Sequence, residues 1–446
     1  MFLMNALIGS RKTSRLKTER SNTWLSAFRG GGVMVNVVVA GAGIVGVSSA
    51  IWLQRAGHIV TLVDRMEDRT RTSFGNAGVL AAGALIPVSV PGLLKKVPKM
   101  LFNKNEPLFL QWAHLPRLLP FLLKYLSFAR IDHVQHYAKN MAYLLGDSHE
   151  QHQSLAAGTG AEGFISNDDY CFGYATNGSF IADSWTRDLR RMHGFVVEEL
   201  DGATYAERDP MYYNQFAKVA CYKNHGRISD PGAYLASLIT HFQAEGGQVI
   251  AASIEDIDIH ESQCRALITD QGKISGDHII LAMGAWSGGI AKKLGIKKIA
   301  LESERGYHIE LHEPNMMPKA PMMVAAGKFV ITPMKGRIRC AGVVEFASAD
   351  APAKNAPIAL VKRQVKALFP ELKYEHMTEW MGRRPATTDS LSVIGAATTC
   401  DNAHIAFGHQ HVGLTGGPKT GRLIADMVNK KPGNADLLAF HPARYQ

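Results

Sequence analysis

The sequence predicts an α/β fold: a parallel sheet covered by helices and interleaved with a second, α+β domain. Three observations carry this expectation. A continuous apolar run, Val35–Ala40, leads straight into a glycine turn and a helix. The α/β alternation that follows stops near residue 88, resumes near Asp230 and stops again near residue 295. From residue 381 onward strand, glycine turn and helix return. A chain of 446 residues is long enough for two or three domains.

Taken in order, Val35–Ala40 is rich in strand formers and suits a strand buried on both faces of a parallel sheet. Gly41-Ala42-Gly43-Ile44-Val45-Gly46 follows at once. A helix is expected from about Gly43 to Ala56, with Ile44, Val47, Ile51 and Trp52 on one face and Gly57 ending it. His58–Asp64 is the second strand, which completes a βαβ unit. Residues 88–215 read as helical segments rich in aromatics, Pro and His. Asp230-Pro231 marks a helix start, with Asp as N-cap and Pro at the first position. That helix runs Gly232–Ala244, and the strands Gln248–Ser253, Ile254–His260, Cys264–Thr269 and Asp277–Ala282 follow. Residues 295–380 are strand-rich, as in Tyr307–Leu311, Phe329–Thr332 and Arg337–Gly342. The expected division is a nucleotide-binding domain of residues 34–87, 216–294 and 381–430. Residues 88–215 and 295–380 then form the second domain, and 431–446 a C-terminal tail.

The charge balance is unusual. Lys plus Arg number 49 against 39 Asp plus Glu, a formal +10. Residues 1–33 hold Arg11, Lys12, Arg15, Lys17, Arg20 and Arg29 against Glu19 alone, so half the excess lies there. This segment lacks the charge-first, apolar-second order of a secretory signal. It reads as a disordered basic extension or as sequence upstream of a true start at Met34; an Arg-rich transit peptide fits less well. After Met34 no Lys/Arg stripe with interleaved aromatics appears, so nucleic acid is not an expected partner. Cys171, Cys221, Cys264, Cys340 and Cys400 are at least 43 residues apart, which gives no zinc spacing and suits a reducing compartment. No metal site is expected, and no run reaches the 18 or so apolar residues of a spanning helix. The expected location is cytoplasmic, either free or peripheral on the inner face of the cytoplasmic membrane.

Gly41, Gly43 and Gly46 occupy the glycine positions of a Rossmann-like GxGxxG turn. The first permits the tight turn, the second lets backbone approach a pyrophosphate, and the third lets helix pack on strand. The free N–H groups of the helix start then face the diphosphate. Asp64 ends the second strand, where a carboxylate holds a ribose hydroxyl. This constellation does not separate FAD from NAD.

Four further segments do. They are Thr72–Gly78 (TSFGNAG), Asp277–Ser287 (DHIILAMGAWS), Gly382–Gly395 (GRRPATTDSLSVIG) and Phe407–Val428 (FGHQHVGLTGGPKTGRLIADMV). With the glycine-turn unit they span Val35–Val428. The chain resembles the FAD-dependent amine and amino-acid oxidoreductases of the D-amino-acid oxidase type, and among them it is most similar to bacterial D-amino-acid dehydrogenases. The resemblance implies an FAD-binding domain of the glutathione-reductase type. Gly41, Ala42, Gly43, Ile44, Val45, Gly46, Asp64 and Arg65 would then hold the ADP half. Ser73, Asn76, Ala77 and Gly78 would lie near the flavin, and Ala282 and Gly284 on the adenosine side. Gly413, Leu414 and Thr415, with His409, would face the flavin from a helix starting near Pro418, whose positive end favours negative charge on the ring.

The resemblance also implies a reaction. A D-amino acid would lose its Cα hydrogen as hydride to FAD, and the imino acid would hydrolyse to a 2-oxo acid and ammonia. Electrons would pass to a quinone or the respiratory chain. An arginine suits the substrate carboxylate because it binds bidentately. Arg384 matches the family's GxRP arginine and is the first choice. Tyr307 is a candidate hydroxyl donor that could equally fill core. Arg339 is a second cation with an equal claim to be a structural ion pair. His411 and His409 flank Gln410 and could touch substrate or flavin. Met334 stands where many amine oxidases of this superfamily carry Arg. D-alanine, a hydroxy-D-proline or D-proline, and an amine or glycine-type oxidase activity producing peroxide all stay open. Leu108–Phe128 suits a peripheral membrane contact or, the preferred reading, helices capping the substrate domain.

Overall fold

The computed structural model describes residues 33–93, 106–432 and 435–446. The expected basic extension lies outside the described residues apart from Val33. The first sheet is six-stranded, in the order Val393–Ala396, Ala403–Phe407, His278–Leu281, Asn36–Ala40, Ile59–Asp64, Gln248–Ala251. All neighbours are parallel except the edge strand Val393–Ala396. Strand side chains alternate between faces, and here both faces are dry. Val37 and Val39 point into one core with the helices Ile44–Arg55 and Gly413–Val428. Val38 and Ala40 point into another, under the meander Ile254–His260, Gln263–Thr269, Gly272–Ser275 and the short helix Gly288–Lys293. That is why the first strand reads as an unbroken apolar run.

The second sheet is nine-stranded and mixed. Its main path runs His376–Thr387, Leu301–His312, Arg337–Phe346, Phe329–Met334, Met322–Val324, Tyr170–Tyr174, Lys218–Tyr222, Val197–Asp201, with Leu108–Leu110 added beside Arg337–Phe346. One face is sealed by the helix Asn355–Leu368 through Ile358, Val361 and Val365. The opposite face meets the first domain: Arg337 pairs with Asp230, the N-cap of the helix Pro231–Ala244, at 3.0 Å.

The expected boundaries shift in three places. Lys218–Tyr222 and all of His376–Thr387 belong to the nine-stranded sheet, although both were placed at least partly in the nucleotide-binding domain. The helices Ile131–Leu145 and Ser148–Ala156 pack in the core of Ile44–Arg55 and Gly413–Val428, not in the second domain. Residues 88–215 also contain strands, Tyr170–Tyr174 and Val197–Asp201, too short for a period of two to show against their aromatic neighbours. The helix Leu115–Ser127 buries Leu118, Phe121 and Tyr125 against Phe346 and Ala386 and leaves Leu119 and Leu123 exposed. All five cysteines are buried and unpaired by disulfides, with Cys171 directly opposite Cys221.

The last helix begins at Gly413 rather than near Pro418, which lies inside it. Proline has no N–H, so the Leu414 carbonyl loses its helical partner. His152 Nε2 takes that carbonyl at 2.8 Å, while its Nδ1 meets the Tyr234 hydroxyl at 2.9 Å. Burial pushes the His152 pKa down to about 4, so the ring is neutral at pH 7.

The C-terminal tail is bound, not loose. Arg444 pairs with Asp389 at 2.8 Å and donates to the Leu391 and Ser392 carbonyls, each at 2.9 Å. Tyr445 donates to the same carboxylate at 2.7 Å. Burial alone would raise the Asp389 pKa, but the Arg444 charge and these hydrogen bonds outweigh it and hold the group below its ordinary value. Removing one partner of a buried pair costs about 3 kcal/mol, so Arg444→Ala should lose about that much in urea unfolding at pH 7. A depressed carboxylate stabilises above its unfolded pKa and loses that contribution as pH falls. The gap between wild type and variant should therefore close below the ordinary carboxylate value of 3.8.

Candidate cofactor and substrate site

A cleft of about 520 Å³ opens at the carboxyl ends of the parallel strands, where open α/β sheets bind ligands. Gly41 sits at φ +103°, and a Cβ there would lie 2.5 Å from the Ala282 carbonyl oxygen. A Cβ on Gly46 would lie 1.8 Å from the Gly41 oxygen. Both positions therefore need glycine, one for conformation and one for close packing. Asp64 accepts the Ala42 N–H at 2.8 Å through one oxygen, and Met66 N–H at 2.8 Å and Arg71 at 3.1 Å through the other. Ser73 Oγ accepts the Ile44 N–H at 3.0 Å, which links the glycine turn to the next loop.

The far end of the cleft is made by Gly408–Leu414. His409 Nε2 lies 2.9 Å from Thr420 Oγ1, whose own proton goes to the Gly416 carbonyl. His409 Nε2 is therefore the donor. Desolvation pushes its pKa down to about 4, which keeps the ring neutral. Gln410 lines the cleft at φ +46°, 4% exposed, and neither its amide nitrogen nor its oxygen has a partner among the described residues. Buried amides are almost always hydrogen-bonded, so this one marks a place for a polar ligand. Trp286 lines the mouth and is flanked by the guanidinium groups of Arg65 at 4.8 Å and Arg383 at 5.6 Å.

Of the expected cofactor contacts, Gly41, Gly43, Ile44, Val45, Asp64, Arg65, Ser73, Asn76, Ala282, Gly284, His409, Gly413 and Leu414 line this cleft. Ala42, Gly46, Ala77, Gly78 and Thr415 do not. Ala42 and Gly46 shape the turn from behind it. Thr415 Oγ1 instead accepts the Ala81 N–H at 3.2 Å, and the Gly78 N–H is turned to Asn76 Oδ1 at 2.9 Å. Gln410 and Trp286 lie inside the quoted segments but were not singled out: an amide between two histidines and a tryptophan two residues after Gly284 carry no chemical signature of their own.

Of the four catalytic candidates, Arg384 and Arg339 stand on the first-domain face of the large sheet, Tyr307 on the opposite face, and His411 in the turn Gln410–Val412 off the sheet. Arg384 stands opposite Glu304 in register and pairs with it at 2.9 Å, on the face toward the first domain. Its guanidinium lies over Gly306, where a Cβ would come within 2.3 Å of Nη2. The His411 side chain is accessible from the open site yet closely surrounded by protein, and that crowding lowers its pKa, with Glu304 opposing and Arg384 adding to the shift, so the three are electrostatic neighbours. Tyr307 is corrected. It is 1% exposed and lies on the other face, in the core under the helix Asn355–Leu368, with its hydroxyl bonded to Glu345. Arg339 is also corrected from substrate cation to structural ion pair. It is 1% exposed, pairs with Glu310 at 2.7 Å and donates to the Asn76 carbonyl. Among the described residues no group of three His, Cys, Asp or Glu could hold a metal.

This arrangement matches a known family. Residues 36–427 match the FAD dependent oxidoreductase family. The chain belongs to that family, and its cofactor is FAD. A D-amino-acid oxidase of Bradyrhizobium diazoefficiens is 33% identical over 417 residues, covering 92% of this chain and 99% of that one. A D-amino acid dehydrogenase of Rhizobium rhizogenes is 29% identical over 426 residues, covering 92% and 100%. Among solved structures, glycine oxidase from Geobacillus kaustophilus superposes with a TM-score of 0.69 at 20% identity, covering 92% and 99%. The cleft fits the cofactor: glycine backbone and a helix start suit a diphosphate, and the open Gln410 amide suits a polar ring edge.

An unpaired buried amide is costly in the empty protein, while a lost hydrogen bond weakens the loaded one. Gln410→Leu should therefore leave the apoprotein at least as stable in thermal unfolding. Its FAD dissociation constant, read by flavin fluorescence titration, should rise about tenfold.

Proposed function

We propose that the chain oxidises D-amino acids to 2-oxo acids and ammonia. The observation that carries this reading is Arg384, held over Gly306 on the cofactor-facing side of the large sheet with Nε and Nη2 unpaired among the described residues. An open guanidinium edge of that kind receives a carboxylate in two parallel hydrogen bonds. The names of the curated relatives supply the substrate class. FAD, when bound, supplies a hydride acceptor. Arg384 would fix the Cα of the substrate against it, and neutral His411 would offer a hydrogen bond without adding a competing positive charge. The imino acid then hydrolyses in water.

The electrons pass in this reading to a quinone or another non-oxygen acceptor. Support comes from the dehydrogenase relatives and from the helix Leu115–Ser127, which carries no acid and exposes Leu119 and Leu123 beside Arg117 and Lys124. Such a face suits peripheral contact with an anionic bilayer from the cytoplasmic side. No helix among the described residues is long and apolar enough to cross a membrane. A second reading, an oxidase that forms peroxide, is favoured by the 33% identical relative.

Anaerobic addition of D-alanine, D-proline or a hydroxy-D-proline to the yellow holoenzyme should bleach the flavin band, and the fastest of the three names the substrate. Arg384→Ala should keep its FAD and reduce at least about 100-fold more slowly, as loss of a charged, bidentate contact implies. Wild-type reduction kinetics in that variant would remove Arg384 from the site. Oxygen uptake with stoichiometric peroxide would select the oxidase reading. Sedimentation with anionic but not neutral vesicles, abolished by Leu119→Glu with Leu123→Glu, would establish the membrane face.

A further inference from the structure

Glu304 has no place in the reading so far, yet it is the group nearest Arg384. Its side chain is 4% exposed and that of Arg384 20%. One contact joins them, Arg384 Nη1 to Glu304 Oε1 at 2.9 Å. The same Nη1 reaches the Val343 carbonyl at 3.4 Å. Val343 is β-branched and sits at φ +66°, beside the register shift that separates Arg305 from Tyr307. A β-branched residue at positive φ is a true outlier and is held there by its surroundings. Both acceptors thus converge on Nη1. Among the described residues no other hydrogen bond is made by either side chain. The second carboxylate oxygen of Glu304 and the Nε–Nη2 edge of Arg384 are left open among the described residues.

A buried carboxylate with only one hydrogen bond is poorly compensated. A simple carboxylate ligand on Arg384 would worsen this, because it would compete with Glu304 for the same cation. An α-amino acid would not. At neutral pH it carries a carboxylate and an ammonium on one carbon. We propose that Arg384 and Glu304 form one receptor for this zwitterion, with Nε and Nη2 of Arg384 on the carboxylate and Oε2 of Glu304 on the α-ammonium. Glu304 is then a substrate-binding residue that selects amino acids over other carboxylates of the same size. The proposal rests on the amino-acid reading above and adds the group that reads the amine.

The test compares two ligands on holoenzyme under anaerobic conditions, D-alanine and propionate, which differ by the amine. Binding is read from perturbation of the flavin absorption spectrum and, for D-alanine, from the KM and the limiting rate of reduction. Glu304→Gln should weaken D-alanine at least about tenfold through a lost charge-assisted hydrogen bond. Propionate should bind unchanged or tighter, since its competitor for Arg384 is gone, and Glu304→Asp should recover part of the D-alanine affinity. Equal weakening of both ligands would show that Glu304 only positions Arg384, and would overturn the proposal. So would wild-type behaviour of Glu304→Gln toward both, with the amino-acid reading left standing. A wild-type flavin that no amino acid perturbs or reduces would overturn that reading and this proposal together.

Discussion

The joint between the two domains depends on one buried cation. Arg339 is 1% exposed and ties Glu310 on the neighbouring strand to the backbone of the Thr72–Gly78 loop, through the Asn76 carbonyl. A guanidinium out of water is tolerated only with its partners in place, so the loop cannot drift from the sheet without exposing a stranded charge. Burial lowers the Arg339 pKa and Glu310 opposes the shift, while Arg339 and Arg337 overcome desolvation and hold Glu310 down at about 2. His308 reinforces the joint: its Nδ1 meets the Gly75 carbonyl at 2.9 Å and its ring stacks on Trp380 at 4.9 Å. Ser73 and Asn76 belong to the cofactor cleft, whereas Arg384 and Glu304 stand on the sheet. Their separation is therefore set by a dry, charged joint rather than by a flexible linker.

The fold was legible where a local pattern and a global role coincide. Val37–Ala40 is apolar throughout because both faces of its sheet are covered, and the glycine turn, helix and Asp64 follow at fixed spacing. The interleaving of the domains was legible only as a rhythm. Its boundaries were misplaced because Lys218–Tyr222 resembles any short apolar strand, and nothing local says which sheet it joins. The helices after Ile131 were misassigned for a related reason. An amphipathic face announces that it will be buried, but not against what.

The site divides in the same way. Arg384 is legible as a candidate because it sits in a recognisable motif, and the structure places it on the face of the sheet toward the first domain. Tyr307 was misread because its position differs by one residue from that face, and one residue turns a strand side chain to the other side. Glu304 escaped notice because a single acid in a strand looks like solvent-facing polarity until the register places it opposite an arginine. Gln410 lies inside the Phe407–Val428 segment, but nothing in its residue type sets it apart there. It stands out through an unusual backbone angle and through the lack of a partner among the described residues, and both are properties of three dimensions.

The five buried thiols have a practical meaning. Burial pushes Cys264 and Cys340 up to about 12 and raises Cys400 as well. At these three positions the reactive thiolate is therefore scarce at neutral pH as well as hidden. Cys171, Cys221 and Cys340 lie in the large sheet, while Cys264 and Cys400 lie in the core beneath the other. Each thiol consequently acts as a clock for the opening of its own domain. Alkylation followed by mass spectrometry would time the breathing of the two sheets separately, in the native enzyme and without an introduced label.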